Sequence, residues 1–168
     1  RGANGVAGGW RDDGEVISMQ FKRTRDDRFR NLPDFPFAPH YLSVDDTEGG
    51  ALRIHYLDEG SPAGDVVLLL HGQPTWSYLY RDMIPVLADA GYRVIAMDHL
   101  GMGRSDKPID LDYYSYATHV DRLERFVREL ALSNMTPFVQ DWGSVIGLHV
   151  IGNHPELFAR VVVGDGAL

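Results

Sequence analysis

Apolar residues fall in short blocks along the chain, and their spacing alternates between two periods. Residues 51 to 58 (ALRIHYLD) set Leu52, Ile54 and Tyr56 on one side of an extended chain and Arg53 and His55 on the other, the pattern of a half-buried strand. Glu59 to Asp65 then supplies glycines and a proline for a turn. Val66 to Leu70 (VVLLL) and Arg93 to Met97 (RVIAM) are apolar runs of strand length, which predict strands buried on both faces. Val161 to Val163 begins another such run. Met135 to Val139 is a weaker strand candidate, because Pro137 lies inside it.

Between these blocks the period lengthens. Trp76 to Ala90 spaces Leu79, Met83, Ile84 and Leu87 as a helix does and stops at Gly91, with Pro85 a candidate kink. Thr118 to Leu132 puts Val120, Leu123, Phe126, Val127 and Leu130 on one face, with Asp121 and Arg125 as an exposed i,i+4 pair. Ser144 to Asn153 carries Val145, Leu148 and Ile151 before the stop at His154-Pro155. This alternation predicts an α/β fold, a mostly parallel sheet with helices on both faces. Two stretches stand outside it. Residues 1 to 18 are rich in Gly and Asp without an apolar period and read as a disordered lead segment, which leaves 19 to 168 as the folded domain with Met19 a natural start. Residues 25 to 41 hold Pro33, Pro36 and Pro39 among Phe29, Phe35, Phe37 and Tyr41, so an extended strap that buries its rings is expected.

Composition narrows the partners. With 168 residues, 44% apolar and 24% charged, one core is expected and wholesale disorder is not. The absence of cysteine removes disulfides, thiolate metal sites and a cysteine nucleophile. A net charge of −8 argues against a nucleic-acid partner, whose phosphates are bound by clustered Lys and Arg. No apolar run reaches the roughly 18 to 20 residues that span a bilayer, and no secretory leader opens the chain, so a cytoplasmic protein without a membrane partner is expected. No metal-ligand spacing is present. Gly101-x-Gly103 is a poor dinucleotide motif, because Asp106 stands where the third glycine belongs. No cofactor is therefore expected.

Parallel sheets carry their sites at the carboxyl ends of strands. Three such ends are chemically unusual: His71-Gly72-Gln73-Pro74 after the VVLLL run, Asp98 to Asp106 (DHLGMGRSD) after RVIAM, and Val139-Gln140-Asp141-Trp142-Gly143 before the last helix. The third is a strand, a sharp turn and a helix, with aspartate where hydrolases of this arrangement usually place serine. A carboxylate with an ordinary pKa of about 3.9 is ionised at neutral pH and can attack carbon without a base. On its own the position reads first as that of a helix-capping aspartate, a very common use of Asp there.

Taken together, HGQP, PTWSYLYRDMIP, DHLGMGRSDKP, VQDWG and the strap FRNLPDFPFAPHYL resemble the haloalkane dehalogenases of the α/β-hydrolase superfamily, from about Met19 to Leu168. The resemblance implies an α/β-hydrolase core that stops before a helical cap, the last strands and the base histidine. It implies Asp141 as nucleophile, Trp142 as halide ligand through its indole N–H, and the backbone N–H groups of Gln73 and Trp142 as oxyanion donors. The partners would be a small haloalkane, water and the released halide. Asp165 ends a strand where some members carry the acid that orients the histidine, although a turn carboxylate in Gly164-Asp165-Gly166 is equally open. His71 is implied as a scaffold residue, and His99, His119, His149 and His154 are expected to be exposed or locally bonded. Epoxide hydrolases share HGxP and Asp-Trp-Gly but usually place His where this chain has Gln140. A non-catalytic α/β-hydrolase fragment is the remaining alternative.

Overall fold

The computed structural model describes residues 3–10, 16–46 and 50–167. In chain order its elements are β1 (Ala3–Trp10), β2 (Val16–Arg23), β3 (His40–Asp46), β4 (Gly50–Gly60), β5 (Val66–Leu70), α1 (Met83–Asp89) and β6 (Arg93–Met97). There follow β7 (Lys107–Pro108), α2 (Tyr116–Glu129), β8 (Thr136–Asp141), α3 (Trp142–Asn153) and β9 (Val162–Gly166). Six strands form the main sheet in the order β3-β4-β6-β5-β8-β9. The pairs β6/β5, β5/β8 and β8/β9 are parallel, and β3/β4 and β4/β6 antiparallel. The two apolar runs are its middle strands, where helices on both faces exclude water.

On one face, Phe126, Leu123 and Val127 of α2 and Ile146 and Val150 of α3 pack on Leu68, Leu70, Ile95 and Met97. On the other, Ile84 of α1 and Tyr80 pack on Val67, Leu69, Val94 and Ala96, with Phe35 and Phe37 of the strap laid against them. The strap lays its rings on the body but leaves them half-buried: Phe35 lies 5.2 Å from both Trp76 and Tyr78, and Phe29 lies 5.3 Å from Trp76. A 3-10 turn at Asp26–Phe29 is its one helical piece.

Several expectations are corrected. The described part of the lead segment is paired strand, β1 running antiparallel to β2, and only residues 1–2 and 11–15 of it lie outside the described residues. Glycine makes this possible, because a Cβ at Gly5 would collide with the Phe21 ring that covers it. Phe21 joins the core, and Arg23 makes a bidentate pair at 2.6 Å with the buried carboxylate of Asp106. The helix expected over 76 to 90 is a 3-10 turn at Ser77–Tyr80 followed by the shorter α1. Pro85 sits in the first turn of α1, where its missing N–H costs nothing. β3 was hidden at the end of the strap. His55, expected on the polar side of a half-buried strand, is fully buried because the loop after β6 covers that side. Val161, Val162 and Val163 are 45%, 46% and 49% exposed, since β9 is an outermost strand among the described residues.

Candidate active site

The chain passes from β8 into α3 with no residue between them. Asp141 closes β8 with φ 51° and ψ −128°, a left-handed conformation that a non-glycine residue adopts only when its surroundings enforce it. Two glycines allow the turn to sit tight against the neighbouring strand end. A Cβ at Gly143 would meet the Leu70 carbonyl, and one at Gly72 would meet the Asp141 carboxylate. Ser144, fully buried, locks the turn from behind: its hydroxyl donates to the Asp141 carbonyl at 2.6 Å and accepts the Ala167 N–H at 2.9 Å.

The Asp141 carboxylate points back to the loop after β5, where the Gln73 N–H donates to its Oδ1 at 2.8 Å. The N–H groups of Trp142 and Gln73 hold its carboxyl below the ordinary carboxylate value. The structure thus brings Asp141, Trp142 and Gln73 together. Gln73 and Trp142 line a cavity of about 620 Å³, with apolar walls from Leu100, Leu111 and Ile146. Trp142 is 49% exposed. Asp165 is exposed at the end of β9, and the residue after it, Gly166, lies opposite Asp141 across an irregular register.

Behind the cavity lies a buried network that sequence reasoning missed. Asp98, at the end of β6, accepts a Ser77 N–H on Oδ1 at 2.8 Å, an Arg104 N–H on Oδ2 at 2.9 Å, and lies 2.7 Å from His55 Nδ1. Burial pushes the Asp98 carboxyl up, and its hydrogen bonds from His55 and Arg104, with the nearby imidazoles, outweigh this and hold it below its ordinary value. The network fixes the loop from His99 to Ser105 that forms one cavity wall. His71 is a buried scaffold residue: its Nε2 accepts the His99 N–H at 3.0 Å. His99 corrects the expectation of an exposed or locally bonded ring, since it is 2% exposed and neither ring nitrogen has a partner among the described residues; His119 is half-buried, and both line the cavity. His149 is exposed, its ring 5.4 Å from that of Tyr116, and His154 sits 3.4 Å from Glu124. Among the described residues no cluster of three or more His, Cys, Asp or Glu is arranged to hold a metal, and no helix is long and apolar enough to cross a membrane.

A doubly wound sheet with an aspartate elbow facing a Gly-Gln loop defines a class of protein, and comparison agrees: the alpha/beta hydrolase fold family matches residues 65–166, and the chain belongs to it. Within that family it is 54% identical over 150 residues to a haloalkane dehalogenase of Psychrobacter cryohalolentis, covering 89% of this chain and 50% of that one. The tetrameric haloalkane dehalogenase DpaA from Paraglaciecola agarilytica superimposes with a TM-score of 0.82 at 40% identity, over 88% of this chain and 49% of that one. An epoxide hydrolase from Vigna radiata is more distant, at a TM-score of 0.65 and 26% identity, over 74% of this chain and 39% of that one. The chain spans about half the length of the curated relatives it matches.

Proposed function

We propose that this chain carries the ester-forming half of a hydrolytic haloalkane dehalogenase. The observation that carries the reading is the Asp141 carboxylate, set on a left-handed turn, ionised, and held by two backbone N–H groups. One carboxylate oxygen attacks the carbon that bears the halogen. The new C–O bond forms as the carbon–halogen bond breaks, and the halide leaves with the bonding pair toward the Trp142 indole N–H, a donor with no competing lone pair. The oxygen that accepts from Gln73 becomes the carbonyl oxygen of the ester. Water then adds to the carboxyl carbon, its proton passing to a base histidine, and the charge that gathers on that carbonyl oxygen is met by the same N–H groups. Collapse releases the alcohol and restores the carboxylate.

No histidine described above suits the role of base. His71 is engaged in the scaffold on both nitrogens, and the relatives' further length leaves room for the base elsewhere. Asp165 would orient that base from the end of β9. Haloalkane, water and halide are the expected small-molecule partners, with no cofactor, in the cytoplasm.

Ester formation needs no base, so it can be read on this chain. Incubated with 1-bromobutane, the chain is expected to release bromide and gain the mass of one butyl group on Asp141, and Asp141→Asn to do neither. Adduct formation with 1,2-epoxybutane but no bromide release would transfer the reading to epoxide opening. Reaction with neither would leave a non-catalytic α/β-hydrolase domain.

A further inference from the structure

The last strand meets the nucleophile turn through a feature that the steps above do not use. Val139 of β8 pairs with Val163 of β9, but Asp141 pairs with Gly166. β8 advances from 139 to 141 while β9 advances from 163 to 166, so β9 carries one extra residue, a bulge, opposite the elbow. Bulges bend a strand and re-aim its side chains, and they recur beside active sites. Asp165 within it has φ 51°, the same left-handed value as Asp141. The flanking glycines let the bulge sit tight: a Cβ at Gly164 would meet the Phe138 ring, and one at Gly166 would meet the Ser144 side chain. Gly164-Asp165-Gly166 is thus a packed part of the sheet and not a free turn.

Ser144 joins this bulge to the elbow. It stands in the first turn of α3, where alanine is the better helix former, and a buried hydroxyl is costly unless it is bonded. Its bonds are what account for it. The hydroxyl donates to the Asp141 carbonyl at 2.6 Å and accepts the Ala167 N–H at 2.9 Å. β8 ends at Asp141, so past Gly166 the strand β9 has no residue of β8 left to pair with, and the Ser144 side chain supplies the next rung. The same hydroxyl grips the residue whose left-handed backbone must be enforced by its surroundings. A rotation of that backbone swings the Asp141 carboxylate, which takes the Gln73 N–H at 2.8 Å from a loop 68 positions away.

We propose that Ser144 is a positioning residue for the nucleophile: its hydroxyl couples the bulge of β9 to the elbow and so holds the Asp141 carboxylate on the Gln73 N–H. The proposal rests on the dehalogenase reading for its kinetic consequence alone. One hydroxyl thereby keeps the nucleophile and the strand end that carries Asp165 in a single register.

The test is Ser144→Ala in the full chain, read in two ways. Alkylation of Asp141 by 1-bromobutane, followed as bromide release, should slow about tenfold, because small misplacements of a reacting group are costly. In the 15N-labelled chain the Gln73 amide signal should move toward its position in Asp141→Asn, where the acceptor has lost its charge, while the amide signals of α2 stay in place. Ser144→Cys, whose thiol is a weak donor and a weak acceptor, should fall between parent and alanine variant on both readings. An unmoved Gln73 signal or an unslowed alkylation overturns the proposal, and so does a change that reaches α2 to the same extent. Should Ser144→Ala not fold, the Gln73 signal of Ser144→Cys decides in its place. If the parent chain releases no bromide, the dehalogenase reading fails by itself, and the Gln73 signal alone upholds or removes the positioning role.

Discussion

Asp98→Asn changes one atom in the buried network behind the cavity, and the structure says what that atom must do. The two carboxylate oxygens of Asp98 face three nitrogens: Ser77 N on Oδ1, and Arg104 N and His55 Nδ1 on Oδ2. An asparagine has one accepting oxygen and one donating nitrogen. If the amide nitrogen takes the Oδ1 place it confronts the Ser77 N–H, and if it takes the Oδ2 place it confronts the Arg104 N–H. His55 can adapt by changing tautomer, but a backbone N–H cannot. One buried backbone donor is therefore orphaned in either orientation, at about 1–3 kcal/mol. The surviving bonds drop from charge-assisted to neutral strength, a loss of about 1 kcal/mol each. Burying a neutral amide is cheaper than burying a carboxylate, which offsets part of this and leaves a net loss of about 2–4 kcal/mol. That is a large share of the roughly 5–15 kcal/mol that holds a domain together. Urea denaturation at pH 7.5, followed by tryptophan fluorescence, measures it. Asp112→Asn, at an exposed position, is the control and should stay within about 0.5 kcal/mol of the parent. A loss below about 1 kcal/mol for Asp98→Asn would refute the account of Asp98 as the acceptor that organises this loop.

Gly72→Ala should slow alkylation of Asp141 by about a hundredfold, because the added methyl displaces the carboxylate it touches and small misplacements of reacting groups are costly. Intact mass with 1-bromobutane measures this, and an unchanged rate would show that the close approach of Gly72 is not needed. The pH dependence of stability follows from His71, His99 and His119, all pushed down by burial. The unfolded chain takes up protons near pH 6.5 that the folded chain refuses, so their contribution is complete above that pH and is lost as pH falls toward the folded values. Between pH 7.5 and 5.5 each fully suppressed histidine accounts for about 1.4 kcal/mol, giving a loss of about 1–4 kcal/mol for the three. Equal denaturation midpoints at the two pH values would contradict neutral, buried rings.

The middle of this fold can be read from the chain because β5, β6 and their helices declare themselves locally, through apolar runs and a helical period. The elbow is equally legible, since Asp141, Trp142 and Gly143 adjoin in sequence and the turn follows from strand meeting helix. The contact of Asp141 with Gln73 is not local, and it became visible only through the joint resemblance of several loops. His55 and Asp98 are the opposite case: they are 43 positions apart, and nothing in the alternation of β4 distinguishes a histidine facing water from one covered by a distant loop. β1 escaped because glycine carries no apolar signal, although glycine is what admits the Phe21 ring. Val161 to Val163 signalled a strand correctly, but an apolar run does not say what lies over it.

The two N–H groups on the Asp141 carboxylate have a consequence for how the proposed reaction divides its difficulty. The oxygen that accepts the Gln73 N–H is a carboxylate oxygen at rest, and in the proposed cycle it becomes an ester carbonyl after alkylation and an alkoxide-like oxygen during hydrolysis, so this donor never turns, loses its partner or waits for solvent to rearrange. That constancy favours the second step, in which charge on this oxygen grows. It works against the first, in which the same donors draw electron density away from an attacking carboxylate. In the proposed reaction such an elbow is tilted toward breaking its ester, and the burden of making that ester shifts to whatever helps the halide depart, the part proposed above for the indole of Trp142.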